Sequence, residues 1–446
     1  MFVADDLVTL HQKYVLTPWL AQGGLDVPVI DRGKGVYLYD TSGKRYMDLS
    51  SCLIAVNLGH GNETVLGAMH AQIDRLCFSP PNWFNDQRAR FAEALVSISP
   101  WGGEGARLFF TTSGAQANED AAKFARSLTG RHKVLSAYRS FHGASSGASA
   151  LTGESRRWNN EPESPGHVVH FWGPYPYRSP FFTSDPAIET QRALQHVRET
   201  IAAEDPERVA AILVEPIVGS NGVIVPPPGY LAGLREICDE FGILLIFDEV
   251  MTGFGRTGAP FASQRFDVTP DMIVFAKGVT SGYVPLGGVL LREKLAARYD
   301  AKPLGAGHTY SGHPLAMAAG LGALAAYREG GYFQRGAVIE RWLREKLGKL
   351  QEKYDVVGDV RGLGAFFCVE FVSDRVTREP LIAWQGKASG PMPVLFRTLR
   401  EHGVYTFGRY NLMMVAPPLN VEEAELDEAM AAIDTAIAAL TDARKH

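Results

Sequence analysis

The chain has 446 residues, 46% of them hydrophobic, enough for a large buried core and for two or three domains. Lys and Arg total 44 against 49 Asp and Glu, and no basic block accompanies the formal net charge of −5, which argues against nucleic acid as a partner. Cys52, Cys77, Cys238 and Cys368 lie far apart with no paired spacing and no accompanying His cluster. Free thiols in a reducing cytoplasm are therefore expected, with neither a disulfide framework nor a metal site.

The opening residues lack a basic segment followed by an apolar one, so no signal peptide is expected. After an amphipathic start and TPWLAQGG, residues 27–51 alternate with period two and carry turn signals at 32–35 and 41–43, predicting a small antiparallel meander. Helical periodicity follows over 64–77 and 86–97. ARLFFTTSGAQANEDAAKFARSLTG then reads as a strand, a Ser113-Gly114-Ala115 turn and a long Ala-rich helix. A helix reached through small residues presents free N–H groups and the positive end of its dipole, which suits a phosphate. HKVLSAYRSFHG repeats the theme, with a strand ending at Ala137 and a turn carrying Phe141, His142 and Gly143. Beyond an irregular Pro-, Trp- and Tyr-rich stretch at 158–186, a helix leads into VAAILVEP, where Glu215 ends a strand and Pro216 discourages helix.

Two short apolar runs, 243–247 and 272–276, each stop on an ionisable residue, Asp248 and Lys277. Such Ile/Val/Phe-rich runs read as buried parallel strands, and ligands of open α/β sheets sit at the carboxyl ends of strands. A lysine in a desolvated pocket loses part of its preference for the charged form and becomes a nucleophile towards carbonyl compounds. Residues 253–258 fit GxGxxG, yet the chain continues through Pro260 without helical periodicity, so a glycine loop near the site is expected in place of a dinucleotide fingerprint. Pro285-Leu286-Gly287-Gly288 is expected as a turn. The uncharged stretch 315–327, about half a bilayer span, is expected as a buried helix. The last third predicts strands at 364–372 and 412–416 and helices at 392–402 and 422–441, the last with Asn420 and Glu423 as a capping box. Strand–helix alternation gives an α/β large domain over 59–325 with a mostly parallel sheet. Residues 1–58 and 326–446 read as one small α+β domain built from both chain ends.

Taken in order, FTTSGAQANEDAAKFAR, FHG, VEP, LLIFDEVMTGFGRTG, AKG, GYVPLGG and HTYSGHP resemble the class III, or omega-type, aminotransferases, enzymes of fold type I that use pyridoxal 5'-phosphate (PLP). The likeness covers nearly the whole chain and implies a seven-stranded large-domain sheet. It implies that Lys277 holds the cofactor as a Schiff base and moves a proton, while Asp248 keeps the pyridine nitrogen protonated so that the ring acts as an electron sink. Phe141 and Val250 are then the residues on the two ring faces, and Ser113, Gly114 and Ala115 the phosphate cradle. His142, Gly143 and Glu215 join them as cofactor contacts. Thr309 would reach the phosphate from a neighbouring subunit, which implies at least a homodimer.

Two departures bear on substrate. Met251 stands where many relatives have Gln, and Met414 and Phe407 occupy the two positions at which they carry a carboxylate-binding arginine. Arg409 is the nearest arginine and is expected to take that role. Trp19, Leu53 and Ile54 match pocket-lining positions, with Glu215 beside them. TPWLAQGG and the block from RHKVLSAYRSFHG to FWGPYPYRSPFF resemble the taurine and ω-amino acid branch. The implied reaction moves an amino group from an ω-amino acid or amine to 2-oxoglutarate or pyruvate in two half-reactions. An aminomutase or decarboxylase on the same scaffold is the alternative.

Overall fold

The computed structural model describes residues 4–23, 25–158, 167–386 and 390–444. The meander forms as expected: β1 (Ile30–Lys34), β2 (Tyr37–Asp40) and β3 (Arg45–Asp48) pair antiparallel. It runs into a four-residue left-handed turn, Ser51, Cys52, Leu53 and Ile54, at φ 45, 44, 69 and 64°. This conformation costs L-residues about 1–2 kcal/mol each, so the surroundings must impose it.

The large sheet comprises β4 (Ala106–Thr111), β5 (Lys133–Ala137), β6 (Val168–Phe171), β7 (Val209–Val214), β8 (Leu244–Asp248), β9 (Met272–Phe275) and β10 (Gly287–Arg292). Its spatial order is β4-β10-β9-β8-β7-β5-β6, and β10 alone runs antiparallel to its neighbours. Side chains alternate between two covered faces. Val134, Leu213 and Ile246 pack under the Ala-rich Gly114–Thr129 helix, while Leu135, Ile212, Leu245 and Phe247 meet the helices Pro186–Ala203 and Tyr230–Phe241. A strand covered on both sides must be apolar throughout, as β7 is, and polar residues are displaced to its ends. Two expectations fail here. Gly287 and Gly288 are strand, because the chain reverses earlier, over Ser281–Val284, to pair β10 with β9. The irregular stretch contains β6, which closes the sheet edge; 159–166 lie outside the described residues.

Beyond the buried helix Pro314–Glu329, the helix Tyr332–Lys353 leads to β11 (Val357–Leu363), β12 (Phe366–Asp374) and the short β13 (Glu379–Pro380). After the helix Met392–Glu401 come β14 (Val404–Tyr405), β15 (Gly408–Arg409), β16 (Leu412–Val415) and the helix Glu423–Ala443. β14 adds in parallel to β3, so the N-terminal meander is completed by a late segment. The expected Asn420–Glu423 capping box lies two residues further on: the Glu425 carboxylate accepts the Glu422 N–H at 2.8 Å.

Arg256, fully buried, ties these segments together. Its Nη1 donates to the carbonyls of Ala365 (2.9 Å) and Pro417 (2.6 Å), and its Nη2 to Ser51 Oγ (2.9 Å) and Asn57 Oδ1 (2.5 Å). Arg256→Met keeps the length but leaves four buried acceptors without a donor. It should cost at least about 3 kcal/mol in chemical denaturation; a variant as stable as the parent would contradict this role.

Candidate active site

The carboxyl ends of the parallel strands converge on a cavity of about 270 Å³. Gly114 and Ala115 after β4, Phe141–Gly143 after β5, Glu215 after β7, Asp248 at the end of β8 with Val250 and Met251 beyond it, and Lys277 after β9 contribute to its wall. Ser113 stands just outside, extended at φ −157°, and its Oγ accepts the Gln116 N–H at 3.3 Å. The helix first turn thus keeps N–H groups at Gly114 and Ala115 that no intrahelical carbonyl can take.

Asp248 is buried, and both its oxygens are engaged. Oδ2 accepts from Asn118 Nδ2 at 2.8 Å and from His142 Nδ1 at 2.7 Å, and Oδ1 accepts the Val250 N–H at 3.0 Å. Because a carboxylate only accepts, this fixes the proton of His142 on Nδ1. Asn118 also donates to the His142 carbonyl at 2.9 Å. Nothing in the motifs singled out Asn118; a buried amide in an alanine-rich helix, one turn beyond Gly114, was the available signal.

Glu215 accepts the backbone N–H groups of Phe141 (3.0 Å) and Gly219 (2.8 Å). Burial, with Asp248 adding repulsion, pushes its carboxyl up to about 7 against the opposing pull of His142. Lys277, at φ 46° in the cavity wall, is lowered to about 8 by desolvation, which outweighs the attraction of Asp248 and Glu215. At pH 7 that leaves about a tenth of the Lys277 side chain as free amine, far more than an ordinary lysine holds.

A cation cluster lies beside this centre. Arg156, whose charge further lowers Lys277, places its guanidinium 3.5 Å from the Phe141 ring centroid and 5.4 Å from that of Trp19. Arg156 Nε bonds Glu154 Oε1 and its Nη2 reaches Ser220 Oγ at 2.8 Å, while Arg409 Nη2 holds Glu154 Oε2 at 2.6 Å. Arg409 therefore pairs with Glu154 and does not reach Glu215. Arg156 went unnoticed in the sequence because it sits in a three-residue helical turn with no periodic pattern. Trp19 is exposed and edge-on to Phe141 at 6.3 Å. Leu53 is exposed, whereas Ile54 is buried with Met251 and Met414 in an apolar cluster that Phe407 joins, so the two arginine-lacking positions are apolar in fact. Thr309 is exposed and away from the cavity wall.

The cavity fits PLP. A Cβ on Gly114 would lie 3.0 Å from Val250 Cγ2, and one on Gly143, at φ +142°, would lie 2.5 Å from Ala115 Cβ, so both glycines are required for this wall shape. Phe141 and Val250 supply apolar walls for a planar ring, Asp248 an anchored anion, Lys277 an amine and the helix N-terminus donors for a phosphate.

A fold of this kind with this cavity defines a class, and the chain belongs to it: residues 22–437 match the family model for class III aminotransferases, enzymes that use PLP to transfer amino groups. A solved taurine:2-oxoglutarate aminotransferase from Bifidobacterium kashiwanohense, in complex with PLP and glutamate, is 40% identical, with 98% of each chain covered and a TM-score of 0.94. A taurine–pyruvate aminotransferase from Bilophila wadsworthia is 31% identical, over 97% of this chain and 96% of the relative. A leucine/methionine racemase from Thermococcus litoralis is 34% identical, over 93% and 91%. Among the described residues no helix is long and apolar enough to cross a membrane.

The raised Glu215 carboxyl has a consequence for stability. Between about pH 4.5 and 7 the unfolded chain has lost this proton while the folded chain keeps it, so stability falls as pH rises through that window, by up to roughly 3 kcal/mol. Glu215→Gln should flatten this fall in denaturation of the cofactor-free protein; an unchanged slope would contradict the shift.

Proposed function

We propose that this enzyme takes the amino group from a small ω-amino acid or amine with an anionic far end, taurine among them, and passes it to 2-oxoglutarate or pyruvate. The observation that carries this is Arg156 and Arg409 sharing the single carboxylate of Glu154 beside Lys277, which leaves surplus positive charge where a sulfonate or carboxylate would lie. The aminotransferases named for taurine support the choice of donor.

Gly114, Ala115 and the helix N-terminus would hold the PLP phosphate, with Ser113 capping that helix, and Lys277 would hold PLP covalently. When bound, PLP supplies an electron sink for removal of the proton next to the amine. Asp248, held by His142, Asn118 and the Val250 amide, would set its carboxyl against the bound ring. With its depressed proton affinity, the Lys277 amine takes and returns a proton near neutral pH. Phe141, braced by Arg156, and Val250 keep water from the cavity faces. Thr309, exposed here, would act in a partner's site, making the enzyme a homodimer or larger, and the free thiols suit the cytoplasm.

The test is the visible absorption of the purified enzyme as taurine, β-alanine, 4-aminobutyrate and a neutral aryl-alkyl amine are added one at a time without keto acid. An acidic donor should convert the bound cofactor's band, and Lys277→Ala should abolish both the band and turnover. A band that no donor changes, or turnover without keto acid, would overturn the reading in favour of aminomutase or decarboxylase chemistry.

Two variants separate the arginines. Arg156→Ala should raise KM for taurine by about tenfold or more, the size of a lost charge-assisted hydrogen bond, and leave the neutral amine nearly unaffected. Arg409→Ala should raise KM for a keto acid far more than for an aldehyde acceptor; equal effects would remove Arg409 from the site.

A further inference from the structure

Three side chains outside the cavity meet at one point. Cys52 Sγ lies 3.9 Å from His60 Nε2, which lies 3.7 Å from Asp48 Oδ2, and the three atoms all fall within 4.8 Å of one another. The same imidazole nitrogen faces both thiol and carboxylate. A proton relay would need the two ring nitrogens to face different partners. Donors converging on a single point suit a cation instead: S, N and O donors on a zinc tetrahedron stand roughly 3.5 Å apart, within a few tenths of an ångström of the two spacings to His60 Nε2.

Each donor sits on anchored backbone. Asp48 ends β3; its N–H donates to the Val36 carbonyl at 2.8 Å, and its Oδ1 accepts from Ser50 N (3.0 Å) and Oγ (3.1 Å). Its Oδ2, on a residue with no exposed surface, has no hydrogen-bond partner among the described residues. The His60 backbone pairs with Gly35 in both directions, at 2.7 and 2.9 Å. Gly33 lets the ring lie flat on the chain, since a Cβ there would come within 2.6 Å of His60 Cγ. Cys52 occupies the left-handed turn at φ 44°, an unfavourable place for any side chain without a task. Its partial exposure and the 18% exposure of the His60 side chain leave a route in and room for water as a fourth ligand.

We infer that Asp48, Cys52 and His60 form a binding site for a thiophilic divalent cation of the zinc class, distinct from the PLP cavity. The eight-residue separation of Cys52 and His60 matches no short zinc motif, which is why the sequence alone argued against a metal. A thiol must lose its proton to act as a metal ligand, so binding would release a proton. A bound cation would also lock the turn that sets Leu53 outward and packs Ile54 against Met251 of the cavity wall.

The test uses PLP-loaded enzyme stripped with a chelator and desalted, titrated with Co²⁺ and then Zn²⁺, with spectra taken as differences from the metal-free holoenzyme. One Co²⁺ per chain should bind with near-ultraviolet thiolate charge-transfer absorption, and Zn²⁺ should displace it. Cys52→Gly, which suits the positive φ and removes the ligand, should abolish the band and the stoichiometric uptake. His60→Gln should weaken uptake about tenfold or more and serves if the glycine variant does not fold. Absence of stoichiometric uptake by the parent, or uptake equal in the parent and the variants, overturns the site.

Discussion

Asp248 is a carboxylate with almost no exposed surface, and it is retained only because three N–H donors meet it. An unpaired carboxylate at such a place would cost several kcal/mol. The donors come from three places: the Gly114–Thr129 helix, the turn after β5 and the chain just past β8. None can be in register unless the parallel sheet is correctly ordered, so the position of this one charge depends on the whole doubly covered layer. Glu215, in the same cavity wall, shows a different solution. It keeps only backbone donors, and burial raises its affinity for its proton. Lys277 lines the same cavity, and desolvation lowers its own proton affinity, as amine chemistry near neutral pH needs.

The segments that close the cavity from outside depend on Arg256 rather than on the sheet. Its donors hold the Ser51 turn, the Ala365 chain reversal and the Pro417 carbonyl around one buried guanidinium. Through that turn the scaffold reaches the cavity, because Ile54 packs in one apolar cluster with Met414 and with Met251 of the cavity wall. Met414 and Phe407 are apolar, and the Arg156 and Arg409 side chains meet at Glu154.

Much of this was legible in the sequence where one physical rule dominates. A strand covered on both faces must be apolar, so an ionisable residue at its end stands out, and Asp248, Lys277 and Glu215 could be read that way. The Ser-Gly-Ala turn and the Phe-His-Gly turn were readable because small residues at a strand-to-helix turn leave few alternatives. Asn118 and Arg156 were not, since one hides in helical periodicity and the other lies in a short turn with none. The helix Tyr332–Lys353 carries charges on most of its surface and escaped notice, and β6 is only four residues long within a Pro- and aromatic-rich stretch. The Cys52–His60–Asp48 group was invisible because the strand ladder and the left-handed turn, not spacing, bring it together.

The chemistry of the cavity depends on the Asp248 carboxyl, and the direct measurement is turnover and cofactor affinity of Asp248→Asn, which preserves shape and removes the acid. The account predicts that the variant still binds PLP covalently and loses turnover with any donor by about two orders of magnitude or more. Turnover within a fewfold of the parent, with PLP fully bound, would contradict it.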